Sequence, residues 1–153
     1  MGRLLERGMK FEFFVPGIPR PQGSKRAFVH PKTGRAVMVE ANAATKPWRQ
    51  DIAAIALQER PAAWPRDDRD MALRATFYFP RPQSHRLRSG ALKAAAPKRP
   101  GVKPDIDKLA RALCDALTGI AFADDSRIVT LTAEKRYVDD LLPPGVEVAL
   151  VAL

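Results

Sequence analysis

One amphipathic segment, residues 106–118, constrains the fold more than any other part of the chain. Its apolar residues recur at intervals of three and four, and Gly119 follows as a natural helix stop. The stripe consists of Ile106, Leu109, Ala110, Leu113, Ala116 and Leu117. Residues 71–79 before it and residues 129–137 after it alternate between apolar and polar side chains, as strands do. The pattern predicts a helix between two strands, packed on their sheet.

The other segments add a second helix and further strands to this unit. We predict strands at residues 10–15 and 146–151, a hairpin of residues 27–30 and 36–40, and a helix over residues 46–59 with Thr45 as its N-cap. This order favours an α+β fold, a single domain whose mixed β-sheet is packed by two main helices. We expect the domain to cover residues 9–153. Residues 1–8 are either an N-terminal extension, which could be disordered, or precede a true start at Met9.

Composition excludes several classes of protein. A single cysteine, Cys114, rules out an internal disulfide, and with only two histidines a histidine-rich metal site is excluded. No apolar run is long enough for a membrane span or a signal peptide, so we expect a cytoplasmic protein without membrane contact. Neither a GxxxxGK[ST] loop nor a GxSxG elbow occurs. Cys114 is expected to be a plain core residue, and Trp48 and Trp64 packing anchors.

Positive charge is concentrated in two parts of the chain. The net charge is +9 and the isoelectric point about 10.2. Residues 80–104 hold seven Lys or Arg and no acid, and residues 1–50 hold ten basic and three acidic residues. Any one basic stretch could be a solvated loop. Two such stretches together favour a nucleic-acid partner, whose phosphates attract Lys and Arg.

Acidic residues cluster at two places around the best helix. Asp105 and Asp107 stand at its start, and Asp124 and Asp125 lie in the connection to the next strand. Each cluster has an ordinary structural explanation, because Asp105 can cap the helix and Asp124-Asp125-Ser126 can form a turn. Whether the two clusters meet depends on the direction of that strand, which the sequence leaves open.

The combination of acids with basic surface points to a cation. Carboxylates beside a phosphate-binding surface would repel DNA unless a divalent ion lay between them. Mg²⁺ takes oxygen ligands from a few carboxylates, with water and substrate phosphate completing its shell. Such an ion can activate water and stabilise a leaving oxygen. The charge pattern therefore predicts a metal-dependent nuclease.

Three ordered stretches resemble the RusA-type Holliday junction resolvases, which are common in phages and prophages. They are KPDIDKL at 103–109, ALCDALTG at 112–119 and FADDSRIV at 122–129. The opening VPGIPRPQGSKR at 15–26 and the closing AEKRY at 133–137 also fit. A lone Asp-x-Asp is a weak signal, whereas this ordered set is specific.

The resemblance implies a homodimeric endodeoxyribonuclease that resolves four-way DNA junctions by paired nicks in DNA recombination and repair. Its cofactor would be Mg²⁺, for which Mn²⁺ could substitute. The family's metal-binding and catalytic acids fall on Asp105, Asp107 and Asp125, with Asp124 as a possible helper. A basic catalytic residue of the family, often Lys, falls on Arg111, with Lys108 beside it. Since Arg cannot readily donate a proton, we assign Arg111 electrostatic work on the phosphate.

Lys and Arg side chains of both basic stretches are the expected DNA contacts. They are Lys25, Arg26, Arg86, Arg88, Lys93 and Lys103. Two alternatives to an active nuclease stay open: a non-catalytic nucleic-acid-binding protein of the same fold, and a family member inactivated by the change to Arg111. Asp125 separates the first alternative from the nuclease, because helix capping does not require Asp125 and metal catalysis does.

Overall fold

The computed structural model describes residues 8–23, 25–40, 43–139 and 141–153, and for residues 25–28 and 37–40 it describes the backbone alone. The strands are β1 (Met9–Pro16), β2 (Lys25–Val29), β3 (Ala36–Glu40), β4 (Met71–Phe79), β5 (Ile128–Tyr137) and β6 (Gly145–Ala152). The helices are α1 (Thr45–Glu59) and α2 (Ile106–Leu117). Among the described residues, no helix is both long and apolar enough to cross a membrane. The predicted extension, residues 1–8, lies outside the described residues except for Gly8.

Four strands form one mixed sheet in the order β1-β6-β4-β5. Strand β6 pairs antiparallel with both β1 and β4, whereas β4 and β5 are parallel. Strands β2 and β3 form a separate antiparallel hairpin. The predicted α+β fold with a mixed sheet and two helices is confirmed.

Side chains in register form apolar rows across one face of the sheet. One row joins Phe11, Leu150 and Leu73, and the next joins Phe13, Val148 and Ala75. These residues are all buried, because both helices cover this face. Strands with a period of two place every second residue on the covered face, which explains the alternation in the sequence.

The two helices lie side by side in one layer over that face. Helix α1 buries Trp48, Ile52 and Ala56, as its spacing predicts. Helix α2 buries most of its stripe and also Ala112 and Cys114. The prediction for Ile106 is wrong, since it is 38% exposed in the first turn, beyond the edge of the core.

The edge strand β5 is less buried than its alternation predicts. Val129 and Leu131 are 57% and 48% exposed. Strand β5 is the last strand in the described order of the sheet. Val129 also lies at a register shift, where Ile128 and Thr130 pair with neighbouring residues of β4. The predicted apolar face of this strand is therefore only partly covered within one chain.

The predicted cap of α1 is also wrong. Ala44 occupies the N-cap position without a side-chain capping bond. Thr45 is fully buried, and its hydroxyl donates to the carbonyl oxygen of Pro21 at 2.7 Å. Thr45 thus ties the loop after β1 to the start of α1 instead of closing the helix.

We expect Thr45→Val to destabilise the protein by about 1 kcal/mol, because it leaves the Pro21 carbonyl without its donor at nearly unchanged side-chain volume. Urea denaturation measures the change. The matched control Thr76→Val, on the partly exposed face of β4, should stay within about 0.5 kcal/mol of the wild type. Equal stability of Thr45→Val and the wild type would contradict a structural role for this bond.

Candidate metal and nucleic-acid site

Asp105 stands at the N-cap position of α2 but does not cap it. Its backbone is extended, its carbonyl accepts the amide hydrogen of Leu109 at 3.1 Å, and its side chain makes no capping bond. The carboxylate lies 3.6 Å from the ammonium of Lys108, and both side chains are about half exposed. Exposed pairs of this kind are weak. The Asp105 carboxylate therefore does not cap the start of the helix.

Asp107 follows in the first turn of the same helix and is exposed. A helix N-terminus favours negative charge, but no hydrogen bond or ion pair of Asp107 occurs among the described residues. Successive residues of a helix lie about 100° apart, so Asp107 and Lys108 point to different sides of α2. The pair thus presents two carboxylates at one helix end.

A groove of about 350 Å³ opens beside Asp105. Its charged lining is Arg20, Lys103, Asp105 and Lys108, and the remainder is apolar. The backbone amide of Gln22 donates to the carbonyl of Lys108 at 3.0 Å and holds the loop after β1 against α2. Three cations therefore surround a carboxylate at the end of the sheet where β4 and β5 finish.

The basic segment, residues 80–104, has defined local structure although it contains neither a strand nor an α-helix. It contains a 3₁₀ turn at Gln83–His85 and a bridge between Arg86 and Leu92. The guanidinium of Arg81 lies 4.4 Å from the ring centre of Tyr137 and donates to the Pro97 carbonyl at 2.6 Å. The segment is thereby fixed to the end of β5.

Lys135 holds the last part of this segment. Its ammonium donates to the carbonyl oxygens of Val102 at 2.6 Å and Pro104 at 2.9 Å. Sequence reasoning missed this residue. The signal was a gap in the β5 alternation, where a lysine stands at a position otherwise taken by apolar residues such as Ala133 and Tyr137.

The predicted DNA contacts divide into outward and structural cations. Arg88 and Lys93 are exposed, and Lys103 is exposed at the groove. Arg86 is half-buried and donates to the Gly90 carbonyl at 2.8 Å, so part of its role is to hold the loop. Lys25 and Arg26 lie in the hairpin, and their side chains are outside the described part of the structure.

The second acidic cluster forms the turn before β5. The Asp124 carboxylate accepts a hydrogen bond from the Ser126 hydroxyl at 2.6 Å, which lowers the pKa of Asp124 below its usual value. Asp125 begins a 3₁₀ turn, Asp125–Arg127, and is exposed. Asp124 therefore has the structural role that the turn requires, and Asp125 is available for another.

The two clusters stand at different levels of α2. Burial, and then the charges of Asp125 and Asp115, raise the pKa of the Cys114 thiol to about 11. Asp125 is thus near Cys114, which lies seven residues or about 10 Å along the axis from Asp107. Cys114 is buried, as predicted, and stays a neutral thiol at physiological pH.

The predicted convergence of the three aspartates does not occur within one chain. Across the residues that the structure describes, no group of three or more acidic, histidine or cysteine side chains could hold a metal ion. The reason is topological. Strand β5 is parallel to β4, so α2, which connects them, runs in the opposite direction. The start of α2, with Asp105 and Asp107, therefore lies at one end of the sheet, and the start of β5 lies towards the other.

Arg111 is exposed four residues beyond Asp107 and four before Asp115. This spacing is typical of helix-surface ion pairs. In the described part of the chain, no ion pair joins Arg111 to either aspartate. Its guanidinium is therefore not neutralised by its own helix.

Asp105 and Asp107 suit a hard cation such as Mg²⁺. Magnesium is commonly bound through one or two carboxylates, and water or substrate phosphate fills the other positions. Both carboxylates are exposed oxygen donors, and within the described residues their one ion-pair partner, Lys108, is weakly bound. The donor set therefore fits a magnesium ion whose shell further ligands would complete.

Comparison with known proteins places the chain in a family. Residues 16–151 match the family described as endodeoxyribonuclease RusA. A Bacillus subtilis (strain 168) protein, named uncharacterized protein YqaN, is 32% identical over 139 residues, which cover 91% of this chain and 94% of YqaN. The chain belongs to the RusA endodeoxyribonuclease family. Members of that family act on Holliday junction DNA and generally depend on a divalent metal.

Proposed function

We propose that this protein is a Mg²⁺-dependent endonuclease that resolves four-way DNA junctions by two symmetric nicks. The observation that carries the proposal is the carboxylate pair at the start of α2. The Asp105 side chain makes no capping bond, Asp107 has no described partner, and cations line the adjacent groove. A protein that only bound phosphate would gain nothing from two exposed carboxylates there.

Each group has a distinct role towards the scissile phosphate. Asp105 and Asp107 would hold the ion, which when bound polarises the phosphate and activates water. Lys103 and Arg20 bind the DNA backbone beside them. Arg111, which is always charged, stabilises the negative charge that develops on the phosphate and does not donate a proton.

We assign Asp125 to the site of a partner subunit. The outer flank of the domain consists of α2 and the edge strand β5, where Val129 and Leu131 are exposed. If two copies meet at this flank about a two-fold axis perpendicular to β5, their strands run antiparallel. The start of β5 in one copy then lies beside the start of α2 in the other, which brings Asp125 towards the carboxylate pair.

Charge favours this antiparallel arrangement over a parallel one. A parallel arrangement would place the acidic turns of both copies, at Asp124 and Asp125, against each other, and like charges repel. An antiparallel arrangement instead places Asp125 beside the carboxylate pair of the partner, where a bound cation would offset the repulsion. The resulting dimer has two sites related by symmetry, as two symmetric cuts require.

A non-catalytic DNA-binding protein is the second candidate, and one observation favours it. Asp125 does not join Asp105 and Asp107 within a single chain. The two functions differ in their response to metal, since a binding protein holds junctions equally well with Mg²⁺ or EDTA and never cuts them.

We expect Asp107→Asn to reduce junction cleavage by at least a hundredfold while junction affinity is unchanged or higher, because a negative charge beside phosphate is removed. A synthetic four-way junction incubated with Mg²⁺, or with EDTA, measures cleavage. Gel-shift titration in EDTA measures affinity.

Asp115→Asn is the matched control for that variant. Asp115 is exposed on the same helix and carries the same charge but lies outside the proposed carboxylate pair. Its cleavage rate should stay within about twofold of the wild type. Full cleavage by Asp107→Asn would contradict the proposed site, and a wild type that binds junctions but cuts none with Mg²⁺ or Mn²⁺ would favour the binding protein.

We expect the double variant Arg88→Gln/Lys93→Gln to bind all DNA shapes more weakly and to flatten the salt dependence of binding. Two lost phosphate contacts should reduce the slope of log affinity against log salt by about 1 to 2. Affinities measured at several salt concentrations between about 50 and 200 mM give the slope. An unchanged slope would remove these two cations from the DNA surface.

A further inference from the structure

We infer that Lys135 is a positioning residue for Asp105: it fixes the backbone before the helix start and thereby sets the metal affinity of the carboxylate pair. The inference rests on the proposed metal site at Asp105 and Asp107. The residue touches neither the ion nor the phosphate and acts through the main chain.

Two short hydrogen bonds carry the inference. The Lys135 ammonium donates to the carbonyl oxygens of Val102 and Pro104, at 2.6 and 2.9 Å. Pro104 directly precedes Asp105, so its carbonyl oxygen belongs to the peptide unit that joins it to Asp105. A charged donor on this oxygen therefore fixes the orientation of the peptide plane from which Asp105 begins.

Lys135 occupies a position in the sheet where the neighbouring residues are apolar. It continues the third cross-strand row, after Val15, Val146 and Phe77, all of which are fully buried. An apolar side chain would extend the core at that place. The Lys135 side chain is half-buried there, so water solvates its charge only in part, and two main-chain carbonyl dipoles stabilise the rest.

The segment that Lys135 holds has few other restraints near Asp105. In the described structure, Gly101 donates to Arg99 at 2.9 Å, and the next local main-chain bond is from Leu109 to Asp105. The first amides of a helix have no partners within the helix, and Asp105 makes no capping bond. Lys135 thus supplies the restraint that other helices obtain from a cap.

We expect Lys135→Met to weaken Mn²⁺ binding by roughly tenfold, as loss of a residue that orients a metal ligand does. Mn²⁺ titration of DNA-free protein, followed by the electron paramagnetic resonance of free Mn²⁺, measures the affinity. Hydrogen–deuterium exchange of metal-free protein should be faster over residues 101–110. Lys135→Arg, which keeps a charged donor of similar length, should recover most of the affinity.

Arg136→Met is the matched control. Arg136 is the next residue on β5, faces the other side of the sheet and pairs with Glu134 at 2.8 Å. It should leave both Mn²⁺ affinity and exchange over residues 101–110 unchanged. If Lys135→Met does not fold, Lys135→Gln takes its place and should show the same direction with smaller amplitude.

The outcomes separate this inference from the proposed function. Wild-type Mn²⁺ affinity together with wild-type exchange in Lys135→Met, or in Lys135→Gln if it replaces that variant, overturns the inference and leaves the nuclease intact. Faster exchange with weaker Mn²⁺ binding, both recovered in Lys135→Arg, supports it. Absence of Mn²⁺ binding and junction cleavage in the wild type defeats the proposed metal site, and the inference with it.

Discussion

The parallel pairing of β4 and β5 is the constraint on which the rest of the structure depends. Two parallel neighbours require the connecting helix to run in the opposite direction, so α2 begins where the strands end and ends where β5 begins. Asp105 and Asp107 therefore lie at one end of the sheet, and Asp125 lies towards the other. Among the described residues these acids do not form one cluster, and we propose that a second subunit supplies the missing ligand.

The same end of the sheet also holds the segment whose cations we propose to bind DNA. Lys135 and Tyr137, two residues apart on β5, hold the segment at Val102 and Pro104 and, through Arg81, at Pro97. The segment that carries Arg88, Lys93 and Lys103 is thereby joined to the helix start that carries the carboxylates. In the proposed site, the residues that bind phosphate and those that bind metal would therefore share one support, which would keep the scissile phosphate in register with the ion.

The fold could be read from local patterns because each strand and helix has a clear period. Met71–Phe79 has the predicted bounds, and the buried stripe of α2 follows its spacing except at Ile106. The role of Thr45 could not be predicted, because its acceptor, the Pro21 carbonyl, lies 24 residues away. Strand direction was also beyond the sequence, so the separation of Asp125 from Asp107 became visible only in the structure. Lys135 interrupts the apolar alternation of β5, but its structural role could not be inferred before its carbonyl partners were known.

A shared site can be tested by mixing subunits. Asp107→Asn and Asp125→Asn copies with different tags are co-expressed, and mixed dimers are purified through both tags. If Asp125 acts in the partner's site, each mixed dimer has one intact site, so it should introduce single nicks into a junction that neither parent variant cuts. A mixed dimer that binds the junction but is as inactive as both parents would show that all three aspartates must come from one chain, contrary to the topology described above.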